Sequence, residues 1–137
     1  MSVREAARRA GVSHTAPYRH FPDRESLLAA LAAEGFSELE KNLEGRTGRA
    51  LGEAYVRFAL AYPQRFRLMF MARRAEQTHE RFARAFSGLG FDARLAGAAA
   101  WSLVHGLACL ILDGQLKADE RFVQDVLAAL RFAHRSA

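Results

Sequence analysis

The chain has 137 residues, 50% of them hydrophobic, which suffices for one domain or two closely packed subdomains and is too apolar for disorder. A single cysteine, Cys109, excludes a disulfide framework and any multi-cysteine metal site, and suits a reducing cytoplasm. Of the net charge of +5, the difference of five arginines (Arg4, Arg8, Arg9, Arg19 and Arg24) and two carboxylates (Glu5 and Asp23) places +3 within residues 1–24.

Ser2-x-x-Glu5 predicts a capping box that opens a first helix; Val3, Ala6, Ala7 and Ala10 then share a face, and Gly11 predicts its end. A second helix is expected from His14 to His20, with Ser13 as its cap, Pro17 tolerated near its start and Phe21-Pro22 as its stop. Asp23 should cap a third, carrying Leu27, Leu28, Leu31 and Phe36 on one stripe as far as about Leu43. Two short helices joined by a glycine turn and followed by a long one make a helix-turn-helix with its connector. Glu44-Gly45-Arg46-Thr47-Gly48 interrupts the pattern and divides the chain into residues 1–44 and 45–137.

Beyond that boundary Leu51, Ala54, Tyr55, Phe58 and Ala61 predict a helix that Pro63 resets. Phe66, Met69 and Phe70 continue on a short one, and Phe82, Ala85, Phe86 and Leu89 mark another. Asp92 should cap a long, alanine-rich helix to about Leu112, apolar nearly all round, which must be covered on both sides. Asp119 should cap the last, with Phe122, Val123, Val126, Leu127, Leu130 and Ala133 on a broad stripe. No segment alternates with a period of two, so the fold class is all-α. The most apolar window, around Ala96 to Leu112, is broken by Ser102, His105 and Gly106 and is expected to fall short of a membrane span. The amino end lacks the apolar core of a signal peptide. A soluble, cytoplasmic protein with no membrane partner is expected.

The run Val3-Arg4-Glu5-Ala6-Ala7 to Gly11-Val12-Ser13, with Pro17-Tyr18-Arg19-His20-Phe21-Pro22-Asp23-Arg24-Glu25-Ser26-Leu27-Leu28, resembles the DNA-binding region of TetR-family transcriptional regulators. Trp101-Ser102-Leu103-Val104-His105-Gly106-Leu107-Ala108, after Tyr62-Pro63-Gln64-Arg65-Phe66, resembles the ligand-binding domain named for its Trp-His-Gly (WHG) motif in one branch of that family. The resemblance implies an amino-terminal helix-turn-helix followed by a helical ligand-binding and dimerisation domain. It also implies three helices in the DNA-binding region, the first lying upstream of Ser2, so this sequence is expected to lack that helix.

In a helix-turn-helix the second helix enters the major groove. His14, Thr15 and Ala16 offer a donor, a hydroxyl and a methyl-sized contact for base edges, whereas Tyr18, Arg19 and His20 suit phosphates. Family members use this tyrosine and a lysine at the start of the next helix on the DNA backbone, and Arg24 stands at the lysine-like position. Arg4 and the capped amino terminus of the first helix are expected to approach phosphate as well. A local basic excess releases counterions from DNA, although charge alone would equally fit a solvated face.

An apolar cavity between the middle helices is expected to be lined by Phe58, Tyr62, Phe66, Met69, Phe70, Phe86, Trp101 and His105, a composition found in many small-molecule sites and also in plain cores. No second histidine stands at metal spacing, and no nucleophile elbow or phosphate-binding glycine loop is present, so no metal, cofactor or catalysis is expected. The last two helices carry more apolar surface than one such chain can cover. Gly97, Ala98, Phe122, Val123, Val126, Leu127 and Leu130 are the expected interface of a two-fold four-helix bundle, which would set two reading heads on a palindromic operator. The function these features predict is a homodimeric TetR-like repressor, released from double-stranded DNA by a small apolar ligand. The alternative is a truncated, DNA-incompetent, ligand-binding helical dimer.

Overall fold

A computed structural model describes residues 3–71 and 92–129, and within them every regular element is helical. Six α-helices follow in order: α1 (Val3–Arg9), α2 (Arg24–Leu43), α3 (Gly48–Ala61), α4 (Pro63–Met71), α5 (Ala93–Leu112) and α6 (Glu120–Ala129). A single 3-10 turn, Ala16–Arg19, lies between α1 and α2. The expected cap at Ser2, the helix around Phe82 to Leu89 and the far end of the last helix, Leu130 and Ala133 included, lie outside the described residues.

The breaks fall where the residue chemistry demands them. α1 ends in a Schellman motif: Val12 N–H reaches the Ala7 carbonyl at 3.0 Å and Gly11 N–H the Arg8 carbonyl at 3.2 Å. Gly11 closes that motif at φ +69, a conformation that a side chain would strain. Asp23 caps α2, its carboxylate accepting the Ser26 N–H at 2.7 Å, and Asp119 caps α6 by accepting the Phe122 N–H at 2.8 Å. Pro63 opens α4 directly after Tyr62, where its missing N–H costs nothing.

α3 is the hub. It packs against α2, α4, α5 and α6, and α2 packs in turn on α4. Tyr55, Val56 and Ala59 of α3 are fully enclosed, together with Met69 of α4 and Ala108 of α5. Phe36, Leu39 and Leu43 join the same core from α2, Val104 and Leu107 from α5, and Val123 and Leu127 from α6. Each such large apolar side chain contributes about 1.5–3 kcal/mol on burial, so α3 cannot leave without most of the core going with it. Along the described residues before Ala32, Ala7 alone is buried; Ala6 and Ala10, expected beside it on one stripe, face solvent. Leu31 also departs from its expected stripe and is 42% exposed.

α5 needs a second correction. Its Leu95–Leu112 window is long and apolar enough to cross a membrane by length and composition, contrary to the expectation from its three polar interruptions. It packs along α3 instead, and His105 at its middle is hydrogen-bonded to Tyr55.

Candidate functional site

The segment expected to read DNA is shorter and tighter than a seven-residue helix. Only Ala16–Arg19 is helical, as a 3-10 turn. Ser13 Oγ accepts the Thr15 N–H at 3.2 Å and lies 2.7 Å from Thr15 Oγ1, so these hydroxyls close a local turn where a helical cap was expected. Pro17 then removes one donor, and the turn is carried by Tyr18 N–H to Thr15 carbonyl (3.1 Å) and His20 N–H to Pro17 carbonyl (3.2 Å). His14 consequently stands before the helical turn.

The turn nevertheless displays its polar load outward. Arg4, His14, Thr15, Tyr18, Arg19, His20 and Arg24 are all exposed, and Ala16 is half-buried. Arg8 and Arg9 both grip Glu5, at 2.8 and 2.9 Å, and hold its carboxyl below the usual carboxylate range. Among the described residues Arg4, Arg19 and Arg24 form no ion pair. Those three guanidiniums, together with Tyr18 at 45% exposure, are open to solvent in the amino-terminal part of the chain.

The second site lies between α4 and α5. A cleft of about 310 Å³ is lined by Phe66, Arg67, Phe70 and Met71 from one side and by His105, Cys109, Leu112 and Asp113 from the other. His105, Cys109 and Asp113 follow at intervals of four, which puts the first two on one face of α5 and the third just past its end. Phe70 meets the His105 ring edge-on at 4.4 Å, and Phe66 lies 5.4 Å from it. At the mouth Arg67 donates to Asp113 Oδ1 at 2.6 Å and to the Leu112 carbonyl at 3.1 Å.

Behind the cleft runs a polar chain. Trp101 Nε1 donates to Tyr55 Oη at 3.2 Å, Tyr55 Oη lies 2.9 Å from His105 Nδ1, and His105 Nε2 lies 3.6 Å from Cys109 Sγ. Burial pushes the Tyr55 phenol well above its ordinary value and pulls His105 below the usual histidine value. Burial also pushes the Cys109 thiol up, with Asp113 adding to the shift.

Of the expected lining, Phe66, Phe70 and His105 meet at this cleft, and Trp101 stands behind, its ring 5.9 Å from His105 and 6.2 Å from Phe70. Three others do not line it. Met69 is sealed against α2, Phe58 is buried beneath Tyr62 with their rings 5.3 Å apart, and Tyr62 is 49% exposed under the Arg65 guanidinium. Phe86 lies outside the described residues. The lining residues that sequence reasoning missed are Arg67, Met71, Cys109, Leu112 and Asp113; the four-residue spacing from His105 was the available signal. Tyr55 enters the sequence pattern as one position of the helical stripe from Leu51 to Ala61, which carries no signal for its hydroxyl.

At the expected interface, Val123 and Leu127 are turned inward. Leu127 and Val104 crowd Gly52, where an added Cβ would meet them at 3.5 and 3.2 Å, and Val123 is buried in the same core. Gly97 is buried and Ala98 half-buried. Phe122 is 38% exposed and Val126 half-buried, and on α5 Leu95 and Leu110 are 68% and 46% exposed. Leu130 lies outside the described residues.

Residues 49–134 match the family described as tetracyclin repressor-like, C-terminal domain, and residues 1–31 match the family described as bacterial regulatory proteins, tetR family. The first match alone spans more than half of the chain. No curated protein and no solved structure compared with the chain matches it.

Proposed function

The chain belongs to the TetR family of bacterial transcriptional regulators, whose members bind DNA and usually act as dimers with small-molecule ligands, and on that premise we propose a homodimeric repressor of the WHG branch. A small apolar ligand entering the α4–α5 cleft releases it from a palindromic operator. The observation that carries this reading is the double commitment of α4. Phe66 and Phe70 face the cleft, while Met69 and Arg65 engage Gly35 and Glu38 of α2, the helix that continues into the DNA-binding region. A ligand that displaces α4 would move the side chains that hold α2, which couples the cleft to the DNA-binding region as an allosteric release requires.

The branch assignment is supported by Trp101, His105 and Gly106 on α5, the first two joined through Tyr55. Dimer formation is supported by exposed Leu95 and Leu110 on α5 and Phe122 on α6, apolar side chains that a second copy would cover. Operator contact is supported by the exposure of Arg4, Thr15, Tyr18, Arg19 and Arg24, with none of the three arginines in an ion pair among the described residues.

The test is fluorescence anisotropy with labelled duplexes drawn from the DNA adjoining the protein's own coding sequence. One duplex should bind about 10³-fold or more tightly than its shuffled counterpart. Equal affinity for both would overturn operator recognition, and the protein would then be a ligand-binding dimer without sequence-specific DNA binding.

A further inference from the structure

The hydrogen atoms of the Trp101–Tyr55–His105 chain have a preferred order. An indole N–H can only donate, so Tyr55 Oη accepts from Trp101 at 3.2 Å. If the phenol in turn donates to His105 Nδ1, 2.9 Å away, Nδ1 is the acceptor. A neutral imidazole carries its one hydrogen on the other nitrogen. In the reverse order the indole N–H and a Nδ1–H would both point at the one phenol oxygen.

We propose that His105 is held as the Nε2–H tautomer and offers that N–H to the cleft as the donor selecting an uncharged aromatic ligand that bears a hydrogen-bond acceptor. This deepens, and rests on, the reading of the α4–α5 cleft as the ligand site. His105 and Cys109 both line the cleft, and Nε2 is the ring nitrogen facing Cys109. Its partner there is Sγ at 3.6 Å, a weak acceptor that a carbonyl or ether oxygen outcompetes. The walls beside it, Phe66 and Phe70, suit a flat ring. Full charge is not called for. Arg67 and Asp113, the ionised groups of the lining, neutralise each other at 2.6 Å, and burial disfavours the imidazolium form of His105.

Two measurements on the full chain decide the matter. Long-range nitrogen–proton correlation spectra of the ligand-free protein should show the His105 hydrogen on Nε2; a hydrogen on Nδ1 overturns the proposal without touching the cleft reading. Titration with three single-ring probes then tests selection. Acetophenone, which has an acceptor, should bind about fivefold or more tightly than ethylbenzene, which has none, and benzylammonium should bind weakest. His105→Phe should abolish the difference between the first two, whereas His105→Gln, which keeps an N–H donor, should retain it. Equal affinities for acetophenone and ethylbenzene in the wild type, or a preference for benzylammonium, overturn the donor assignment and leave the cleft as a ligand site. If no probe perturbs Phe66, Phe70 or His105, the cleft reading falls and the proposal with it.

Discussion

Gly35 and Met69 approach so closely that a methyl group on Gly35 would lie 2.7 Å from both Cγ and Sδ of Met69. Helices α2 and α4 touch through this notch, and the ion pair of Glu38 with Arg65 stands beside it.

The first prediction follows from that contact. Gly35→Ala overpacks a closed site and should cost about 1–3 kcal/mol. Met69→Ala, at a fully enclosed position, should cost about 2–5 kcal/mol. The double variant should lose less than the sum, since truncation at 69 makes room for the methyl at 35. Urea midpoints of the four proteins check this. Strict additivity would mean that the two residues do not meet.

The second concerns DNA. Arg19→Ala and Arg24→Ala should each weaken binding to every sequence and flatten the salt dependence by about one unit. Thr15→Ala should leave the slope alone and change which base is preferred. Its hydroxyl also holds Ser13, so the circular dichroism of the variant is compared first. Unchanged slopes in both arginine variants would remove them from the phosphate contacts.

These residues also mark the limit of what the sequence made legible. The helix boundaries could be read because Asp23, Asp119, Gly11 and Pro63 act locally, each through its own backbone hydrogen bond or ring. The reading turn could not, because Ser13 can cap a helix or bond its neighbour Thr15, and only the fold chose the second. The cleft was half legible. Phe66, Phe70, Trp101 and His105 share a helical spacing that suits core and cavity alike, and which side of α4 faces the cleft depends on α2 taking Met69. Tyr55 was hidden for a related reason: an apolar stripe records that a side chain is inside, and nothing in it says which polar tip its hydroxyl will meet. Val123 and Leu127 illustrate the same ambiguity on α6, where one broad stripe had to be divided between the chain's own core and a partner.

The third prediction is a pH dependence. Burial holds the His105 pKa below the ordinary histidine value of 6.5. Above that value the ring is neutral in both the folded and the unfolded chain, and it contributes nothing to the slope. As pH falls through it, the unfolded chain takes up a proton that the folded ring refuses, so stability drops and levels off only below the folded value. Asp113, the nearby carboxylate, is already paired with Arg67 and does little to offset the charge. The urea midpoint should therefore fall between about pH 7.5 and about pH 5.5 in the wild type and fall less in His105→Gln. Matching profiles would show that the ring protonates as freely folded as unfolded. Tyr55→Phe, which strips the partner from both Trp101 Nε1 and His105 Nδ1, should cost about 1–3 kcal/mol at neutral pH and shift the tryptophan fluorescence.

The last prediction separates the two faces of α6. Val123 is 7% exposed and lies in the core beside Leu127, so Val123→Glu puts a carboxylate among apolar side chains and should destabilise the chain strongly. Phe122 and Val126 are more open, and α5 adds exposed Leu95 and Leu110. In a two-fold dimer built on this surface, Val126→Glu sets a carboxylate close to its own symmetry mate. Desolvation and like-charge repulsion together cost on the order of 3–5 kcal/mol, comparable to what holds a modest interface. Val126→Glu or Phe122→Glu should then sediment as a monomer with its helical signal largely kept, whereas the wild type sediments as a dimer at micromolar concentration. Because each operator half-site holds one reading turn, the same variant should also bind a palindromic duplex no better than a half-site. A wild type that is already monomeric would overturn the dimer, and paired recognition of a palindrome would fall with it. A Val126→Glu protein that remains dimeric would instead move the interface off this face of α6.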